Sequence, residues 1–244
     1  MGRESTEMLN FDQFQVLTFD CYGTLIDWES GIFSAMRPIL AAHGKSLPDV
    51  QLLELYGDLE ASAEAGPYRP YRGILESVAQ GIALRLGFSL SPQEALALPN
   101  SVQHWRPWPD TVAALTRLRE RYRLAIISNI DDDLFASTRP HLGVRWDHVI
   151  TAQQARCYKP AAAIFRLALE TIGTNPARIL HVGQSIYHDV IPAQSLGLRT
   201  VWVNRPSPRA GVGAVKPAQG RPDLEVPDLK TLADLATPST AKVG

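Results

Sequence analysis

Short apolar segments that alternate with amphipathic helical segments constrain the fold of this chain more than any other feature. Each apolar segment is three to six residues long and is followed by polar residues, which is typical of strands buried on both faces of a parallel sheet. The apolar segments are residues 14–19, 124–127, 149–151, 179–182 and 200–203. The main helical segments between them are residues 111–121, 162–171 and 190–196. The alternation predicts an α/β fold built on a doubly wound parallel sheet.

One long segment, residues 29–107, interrupts the alternation. It contains no convincing strand, and its amphipathic helical stretches at residues 31–43, 50–63 and 71–86 are bracketed by prolines. We therefore predict a core of residues 1–28 and 108–244, with a helical domain of residues 29–107 inserted after the first strand. Residues 206–222 are rich in glycine and proline and predict a long loop before a short final strand and helix.

Charge and composition exclude several classes of partner. The chain has 244 residues, with 24 basic and 25 acidic side chains and a formal net charge of −1. This balance gives no electrostatic reason to expect binding to nucleic acid or to an anionic membrane. No apolar run approaches the roughly 18 residues of a membrane helix, and the N-terminal stretch lacks the apolar segment of a secretory signal. Two cysteines, Cys21 and Cys157, fit a reducing compartment. We expect a soluble cytoplasmic protein.

Polar residues follow four of the predicted strands. Asp20 follows the first strand, Ser128 and Asn129 follow the second, Lys159 comes beyond the third, and Asp189 lies in the loop after the fourth. In open α/β sheets, ligands bind outside the carboxyl ends of the strands. A nucleophilic carboxylate, a hydroxyl and amide pair, a fixed cation and a second carboxylate suit covalent catalysis through an aspartyl intermediate. Lys159 is expected to hold Asp20 ionised, as a nearby opposite charge does.

These residues resemble the four motifs of the haloacid dehalogenase superfamily, in the family's order and spacing. The matching segments are Asp20-Cys21-Tyr22-Gly23-Thr24-Leu25, Ser128-Asn129, Lys159-Pro160, and Gly183-Gln184-Ser185 with Asp189. The resemblance covers nearly the whole chain. It implies a Rossmann-like core with a helical cap inserted after the first motif, and Asp20 as the nucleophile.

Two positions distinguish this chain from the magnesium-dependent phosphatases of that superfamily. Tyr22 stands where the phosphatases have a second Asp, and Gln184 stands where they usually have a magnesium-binding Asp. Magnesium prefers anionic oxygen, so a neutral amide is a poor replacement. A leaving halide needs neither a proton nor a metal, and the Asp-x-Tyr-Gly-Thr loop resembles that of the L-2-haloacid dehalogenases. We therefore expect no cofactor and no metal, with Mg²⁺ required only if the chain is a phosphatase.

The resemblance implies hydrolysis of a small 2-haloalkanoic acid. Asp20 would displace the halide with inversion to form an ester, and water would then release the 2-hydroxy acid. The predicted catalytic residues are Asp20, Lys159, Asp189 and Ser128, with Asp189 orienting Lys159 and the water. The predicted substrate-binding residues are Tyr22, Asn129, Arg69, Arg72, Ser185 and His188.

Three departures from the dehalogenase pattern concern the pocket. Those enzymes have an arginine early in the cap, whereas residues 51–60 contain none, and Arg69 and Arg72 are the candidates to replace it. Phe165 stands in place of a tyrosine, and Ile186 in place of an asparagine. The departures leave the nucleophilic residues intact and put the substrate in doubt.

Several alternatives stay open on the sequence alone. The same attack by Asp20 would open a strained ring such as azetidine-2-carboxylate, for which His188 or Tyr187 could supply a proton. Defluorination, a magnesium-dependent phosphatase with an altered metal site, and a non-catalytic binding module are the others. Related enzymes suggest a homodimer. The acidic run from Asp131 to Asp133 indicates the start of a helix.

Overall fold

The computed structural model describes residues 9–205 and 218–238. Six strands form one sheet in which every neighbouring pair is parallel. The strands are β1 (Val16–Phe19), β2 (Arg123–Ser128), β3 (His148–Thr151), β4 (Ile179–Gly183), β5 (Arg199–Val203) and β6 (Leu224–Val226). Their order across the sheet is β3-β2-β1-β4-β5-β6. The predicted doubly wound α/β fold is confirmed.

The helices cover the sheet and fill the interval between its first two strands. In chain order they are α1 (Trp28–Ala42), α2 (Asp49–Glu64), α3 (Tyr71–Arg85), α4 (Pro92–Ala95), α5 (Ala97–Ser101), α6 (Thr111–Arg119), α7 (Asp132–Thr138), α8 (Ala152–Ala155), α9 (Ala162–Ile172), α10 (Ile191–Ser195) and α11 (Leu229–Ala236). None of the helices in the described ranges is both long and apolar enough to cross a membrane.

Strand β1 lies at the centre of the sheet. All four of its residues are buried, and Phe19 lies level with Ile126 on one side and Val182 on the other. It is shorter than predicted, because the N–H of Phe14 closes the 3₁₀ turn of residues 11–13 and the paired residues begin at Val16. From β1 the chain moves to β2 and β3 on one side, and later to β4, β5 and β6 on the other. This reversal between β1 and β4 is where such sheets bind ligands.

The helical insertion, residues 28–104, begins directly after the β1 loop. Its first helix starts at Trp28, earlier than predicted, because the Asp27 carboxylate accepts a hydrogen bond from Ser30 N at 3.1 Å and caps the helix. The connections into and out of the insertion lie side by side: Asp27 N donates to Arg106 O at 2.8 Å and Trp108 N donates to Leu25 O at 3.0 Å. The division into a core and an inserted domain stays a prediction.

The end of the chain follows the predicted order of a short strand, β6, and a final helix, α11. Residues 206–217 of the glycine- and proline-rich loop lie outside the described residues. The predicted helix at 190–196 is α10, and a π-helical turn, Ile186–Val190, precedes it. That turn carries Asp189, so its geometry decides where this carboxylate lies.

Asp131 joins the sheet loops to the helical insertion. The residue precedes α7, as predicted for an acidic helix start, but its carboxylate makes no capping bond to that helix. Its two oxygens instead accept hydrogen bonds from Tyr71 N and Arg72 N, each at 2.8 Å, at the start of α3. Pro70 precedes α3 and makes no side-chain cap, so Asp131 satisfies N–H groups that the helix cannot satisfy itself.

We expect Asp131→Ala to lower the free energy of unfolding by about 1–2 kcal/mol, because the substitution removes an N-terminal cap and a charge favourable to the helix dipole. Urea denaturation measures the loss. Asp133→Ala is the matched control, since Asp133 forms an exposed ion pair with Arg72 and should contribute less than about 1 kcal/mol. Equal losses in the two variants would contradict the capping role of Asp131.

Candidate active site

A cavity opens at the carboxyl ends of the central strands, beneath α2 and α3 of the insertion. It encloses about 550 Å³ of space, which includes open solvent at its mouth. Eight residues predicted from the sequence line it: Asp20, Tyr22, Ser128, Asn129, Lys159, Ser185, His188 and Asp189. The other lining residues are Trp28, Glu60, Glu64, Tyr71 and Gln184.

The Asp20 carboxylate is fixed at both oxygens. The backbone N–H of Asp20 donates to Val182 O at 3.0 Å, so the residue continues the line of β1 beside β4. Its Oδ1 accepts from Lys159 Nζ at 2.8 Å, and its Oδ2 accepts from Thr24 Oγ1 at 2.7 Å. The side chain is buried but lines the cavity, which suits a nucleophile of fixed orientation.

Lys159 is buried and uses all three of its ammonium protons. Nζ donates to Asp189 Oδ1 at 2.6 Å, to Asp20 Oδ1 at 2.8 Å and to Ile127 O at 3.1 Å. Asn129 holds the backbone of Lys159 from both sides: its Oδ1 accepts from Lys159 N at 2.6 Å, and its Nδ2 donates to Lys159 O at 3.2 Å. Both ends of the Asn129 amide thus bond the backbone of Lys159. A substrate contact, as predicted for Asn129, would have to share these amide atoms with Lys159.

Asp189 connects Lys159 to a buried histidine. His181 Nε2 lies 3.3 Å from Asp189 Oδ1, and its Nδ1 lies 2.9 Å from Thr18 Oγ1. Gly183 permits this arrangement, because a Cβ atom there would lie 2.5 Å from Asp189 Cγ. His181 is buried as predicted, and its contact orients Asp189 from below the cavity.

The two carboxylates share one cation and differ in pKa. Burial raises the pKa of Asp20 above its usual value, the charge of Asp189 adds to the rise, and Lys159 and Thr24 oppose it. Asp189 is equally enclosed, but Lys159 and His181 outweigh its burial and hold its pKa below the usual range. The same carboxylates raise the pKa of Lys159 despite its burial. The ammonium therefore persists, and Asp189 is the more firmly ionised of the two acids.

Of the remaining predicted cavity residues, Tyr22, Ser185 and His188 have hydrogen-bond partners of their own. Tyr22 hydrogen-bonds through its hydroxyl to Thr138 Oγ1 at 2.8 Å, and burial raises its pKa well above the usual value. Ser185 Oγ accepts from His188 N at 3.0 Å and lies 3.2 Å from His188 Nδ1. Ser128 is buried at the end of β2. These side chains form the rim of the space in front of Asp20.

The structure does not bring Arg69 and Arg72 into the cavity, which corrects their predicted contact with substrate. Arg69 is exposed, and its carbonyl accepts from Tyr158 Oη at 2.7 Å. Arg72 pairs with Asp133 at 2.7 Å on the surface. The physical reason is that Asp131 fixes the first turn of α3 and so turns Arg72 toward α7.

The other two departures are apolar substitutions outside the lining. Phe165 is buried against His181, with ring centroids 5.1 Å apart, and Ile186 is buried in the turn that carries Asp189. By packing there, both side chains support the hydrogen-bonded series of His181, Asp189 and Lys159 that ends at Asp20.

The sequence reasoning missed two glutamates from α2, Glu60 and Glu64, that line the cavity. Glu60 Oε1 accepts hydrogen bonds from Tyr71 Oη and, at 3.0 Å, from Tyr56 Oη. Burial raises the pKa of Glu60 to about 7, and burial with the charge of Glu60 raises the pKa of Glu64 well above its usual value. Glu60 lies in the predicted helix 50–63, and Glu64 follows just past its predicted end. Their spacing of four was the available signal, because it places both on one face of a helix that continues to Glu64.

Thr24 and Gln184 were quoted as motif residues without a role. Gln184 N donates to Thr24 Oγ1 at 2.9 Å while Thr24 donates to Asp20, so the two loops lock together. Gly23 allows this approach: its φ is +92°, and a Cβ there would lie 2.1 Å from Gln184 Oε1.

The residues present do not fit a magnesium ion. Asp20 and Asp189 both hold the Lys159 ammonium, which would repel a cation between them, and Gln184 offers only a neutral oxygen. Across residues 9–205 and 218–238, no three His, Cys, Asp or Glu side chains group as metal ligands would.

Comparison with known proteins agrees with this arrangement. The family model described as haloacid dehalogenase-like hydrolase matches residues 14–197. The (S)-2-haloacid dehalogenase H-109 of Pseudomonas putida is 28% identical over 222 residues, which cover 89% of this chain and 96% of that one.

Solved structures show the same fold. The L-2-haloacid dehalogenase PA0810 has a TM-score of 0.77 at 25% identity, covering 91% of this chain and 98% of its own. The L-2-haloacid dehalogenase of Xanthobacter autotrophicus with chloropropionic acid covalently bound has a TM-score of 0.76 at 21% identity, covering 93% of this chain and 99% of its own. With the family model matching most of its length, the chain belongs to the haloacid dehalogenase-like hydrolase family.

Proposed function

We propose that this hydrolase cleaves the carbon–halogen bond of a small 2-haloalkanoic acid through an ester on Asp20, giving the 2-hydroxy acid. The proposal rests mainly on the Asp20 carboxylate, which Lys159 and Thr24 hold in a fixed orientation at the cavity. Two residues later the chain has Tyr22, where the phosphatases of the superfamily have a second Asp. The curated relatives named (S)-2-haloacid dehalogenase support the same chemistry.

In the first half-reaction, an Asp20 oxygen attacks the α-carbon and the halide leaves with the bonding electrons. Because the halide needs no proton, the hydroxyl of Tyr22 can stay hydrogen-bonded to Thr138 and form the wall of the pocket. Lys159 and Thr24 fix the carboxylate, which removes the need to orient the nucleophile during attack.

In the second half-reaction, water attacks the carboxyl carbon of the Asp20 ester. Negative charge develops on the carbonyl oxygen of the ester, and the Lys159 ammonium, 2.8 Å from Asp20 Oδ1, is placed to stabilise it when Oδ1 is that oxygen. Asp189 keeps Lys159 in this position through its 2.6 Å contact and would orient the water. Ser128 lies in the same cavity, where its hydroxyl would bind the substrate carboxylate.

We propose that the reaction needs no metal and no cofactor, as for the L-2-haloacid dehalogenases that this chain resembles. A cytoplasmic location and a homodimer stay predictions. A second candidate is C–N hydrolysis of an azetidine-2-carboxylate type of ring, because Glu60 and His188 line the cavity and could deliver the proton that a leaving nitrogen requires.

We expect halide release from 2-chloropropionate to survive a chelator and to fall by about a thousandfold or more in Asp20→Asn, which lacks the nucleophile. Ion chromatography of chloride from the L and D forms, with bromoacetate and fluoroacetate alongside, measures it. Asp58→Asn, an exposed carboxylate on α2, is the matched control.

Other products would redirect the proposal. If none of these acids released halide, the proposed dehalogenation would be overturned. Ring opening of azetidine-2-carboxylate would then favour C–N hydrolysis. Phosphate release from esters that requires Mg²⁺ would favour a phosphatase.

We expect turnover in water enriched in heavy oxygen to label Asp20 itself, because the water oxygen enters the carboxylate when the ester is hydrolysed. Mass spectrometry of the peptide containing Asp20 detects the label. Label in the 2-hydroxy acid alone, after one turnover at excess enzyme, would mean direct attack of water on substrate.

We expect kcat/KM to fall as the pH is lowered through an apparent pKa above the usual 3.8 of aspartate, because burial raises the pKa of Asp20 and only its ionised form attacks. Lys159 causes no loss of activity below its usual 10.5, since its pKa is raised. In the wild type, the hydrogen bond from Thr24 favours ionised Asp20. Thr24→Val removes this bond and should therefore move the acidic side of the pH profile of kcat/KM to still higher pH. An unchanged profile would contradict the assignment of this pKa to Asp20.

A further inference from the structure

The cavity is lined by two carboxyl groups from α2 that the reaction does not use. Glu60 and Glu64 come from consecutive turns of α2 and line the same cavity as Asp20 and Asp189. Lys159 is the only Lys or Arg among the described lining residues, and its three protons are already donated. A substrate with a carboxylate alone would therefore find no free cation in the described part of the cavity, whereas an ammonium group would favour the ionised forms of Glu60 and Glu64.

Glu60 is built into the wall of this cavity. Tyr56 and Tyr71 both donate their hydroxyls to its Oε1, and the two hydroxyls lie 3.2 Å apart. No hydrogen bond within the described residues ends on its Oε2. Tyr71 is held in turn, because its backbone N–H donates to Asp131 at the start of α3. The carboxylate is thus anchored by one oxygen while the other remains for a ligand.

Aromatic rings complete the wall. Tyr22, Trp28 and Tyr71 line the cavity, and the Trp28 ring packs edge-on against Tyr56 with centroids 5.7 Å apart. Trp28 is 7% exposed. Its Nε1–H has no hydrogen-bond partner in the described structure, and as a donor it suits the carboxylate of the ligand rather than the ammonium group. Aromatic rings beside carboxylates recognise organic ammonium groups, through cation–π attraction as well as charge. The rings are an observation independent of the two acids, and they indicate the same class of ligand.

We propose that the substrate carries an ammonium group, held by Glu60 and Glu64 within this aromatic wall, so that the enzyme acts on small zwitterionic 2-substituted acids. The inference rests on the proposed function, whose nucleophile it keeps. With 3-amino-2-chloropropionate, Asp20 forms the C–O bond as chloride departs. Water then cleaves the ester, which releases isoserine (3-amino-2-hydroxypropionate) and one proton. The acidic wall takes the place that an arginine holds in the dehalogenase pattern.

The kinetic test compares two substrates that differ only in the amine. We expect kcat/KM for 3-amino-2-chloropropionate to exceed that for 2-chloropropionate at least tenfold, chiefly through KM. Glu60→Gln and Glu64→Gln should raise KM for the aminated substrate at least tenfold with a smaller change in kcat. Glu54→Gln, an exposed glutamate on the same helix, is the matched control and should keep the wild-type preference.

A binding test separates this inference from the proposed chemistry. Asp20→Asn is titrated calorimetrically with isoserine and with lactate, the two corresponding products, and we expect isoserine to bind at least tenfold more tightly. The cation should also lower the pKa of Glu60, which burial raises to about 7, so binding at pH 7 should release protons. Titration in buffers of different ionisation enthalpy measures this release. Besides Glu60, the cavity of this variant presents Glu64, His188, Asp189 and Lys159 as groups that exchange protons.

Each outcome decides between the two proposals. Selective binding of isoserine without halide release supports the ammonium site and overturns dehalogenation. Halide release with no preference for the amine supports dehalogenation and overturns the ammonium site. Proton uptake on lactate binding would mean that protonated Glu60 and Glu64 donate to a carboxylate, which also overturns the ammonium site. No detectable binding of isoserine at millimolar concentration would overturn it as well.

Discussion

The arrangement of this active site depends on one buried ammonium group. Lys159 lies between Asp20 and Asp189 and donates to both, at 2.8 and 2.6 Å. Buried charges are costly unless they are paired, and removing one partner of such a pair typically costs about 3–5 kcal/mol. The three groups are therefore interdependent: Asp20, the proposed nucleophile, has its position because the cation is there, and the cation is retained because both acids face it.

The parallel sheet brings these groups together. Up to 169 residues of sequence separate the three groups, Asp20, Lys159 and Asp189. They meet because each follows a strand of the same parallel sheet, and the carboxyl ends of these strands lie along one edge. The loops then fix the details, since Thr24 links the β1 loop to Gln184 and Asn129 holds the backbone of Lys159. Catalytic geometry here is set largely by hydrogen bonds between loops, on a rigid hydrophobic support.

The helical insertion contributes a different kind of constraint. Asp131 on the sheet side caps α3, which places Tyr71 over the cavity, and Tyr71 in turn holds Glu60. Where the dehalogenase pattern offers a cation to the substrate, this insertion offers carboxylates and aromatic rings. The proposed nucleophilic residues and the proposed ammonium site thus come from separate parts of the chain.

The sheet and the cluster of polar residues around Asp20 could be predicted from the sequence alone, because buried strands need continuous apolar runs and strand ends deliver polar groups to one edge. The sequence also placed Ser128, Lys159 and Asp189 in the cavity, where the structure has them. Only the tertiary structure decided what faces them. Arg72 was expected in the cavity but lies on Asp133, while Glu60 and Glu64 occupy the wall. The physical reason is that the orientation of a helix around its axis depends on contacts from distant segments, here Asp131, which no local pattern encodes.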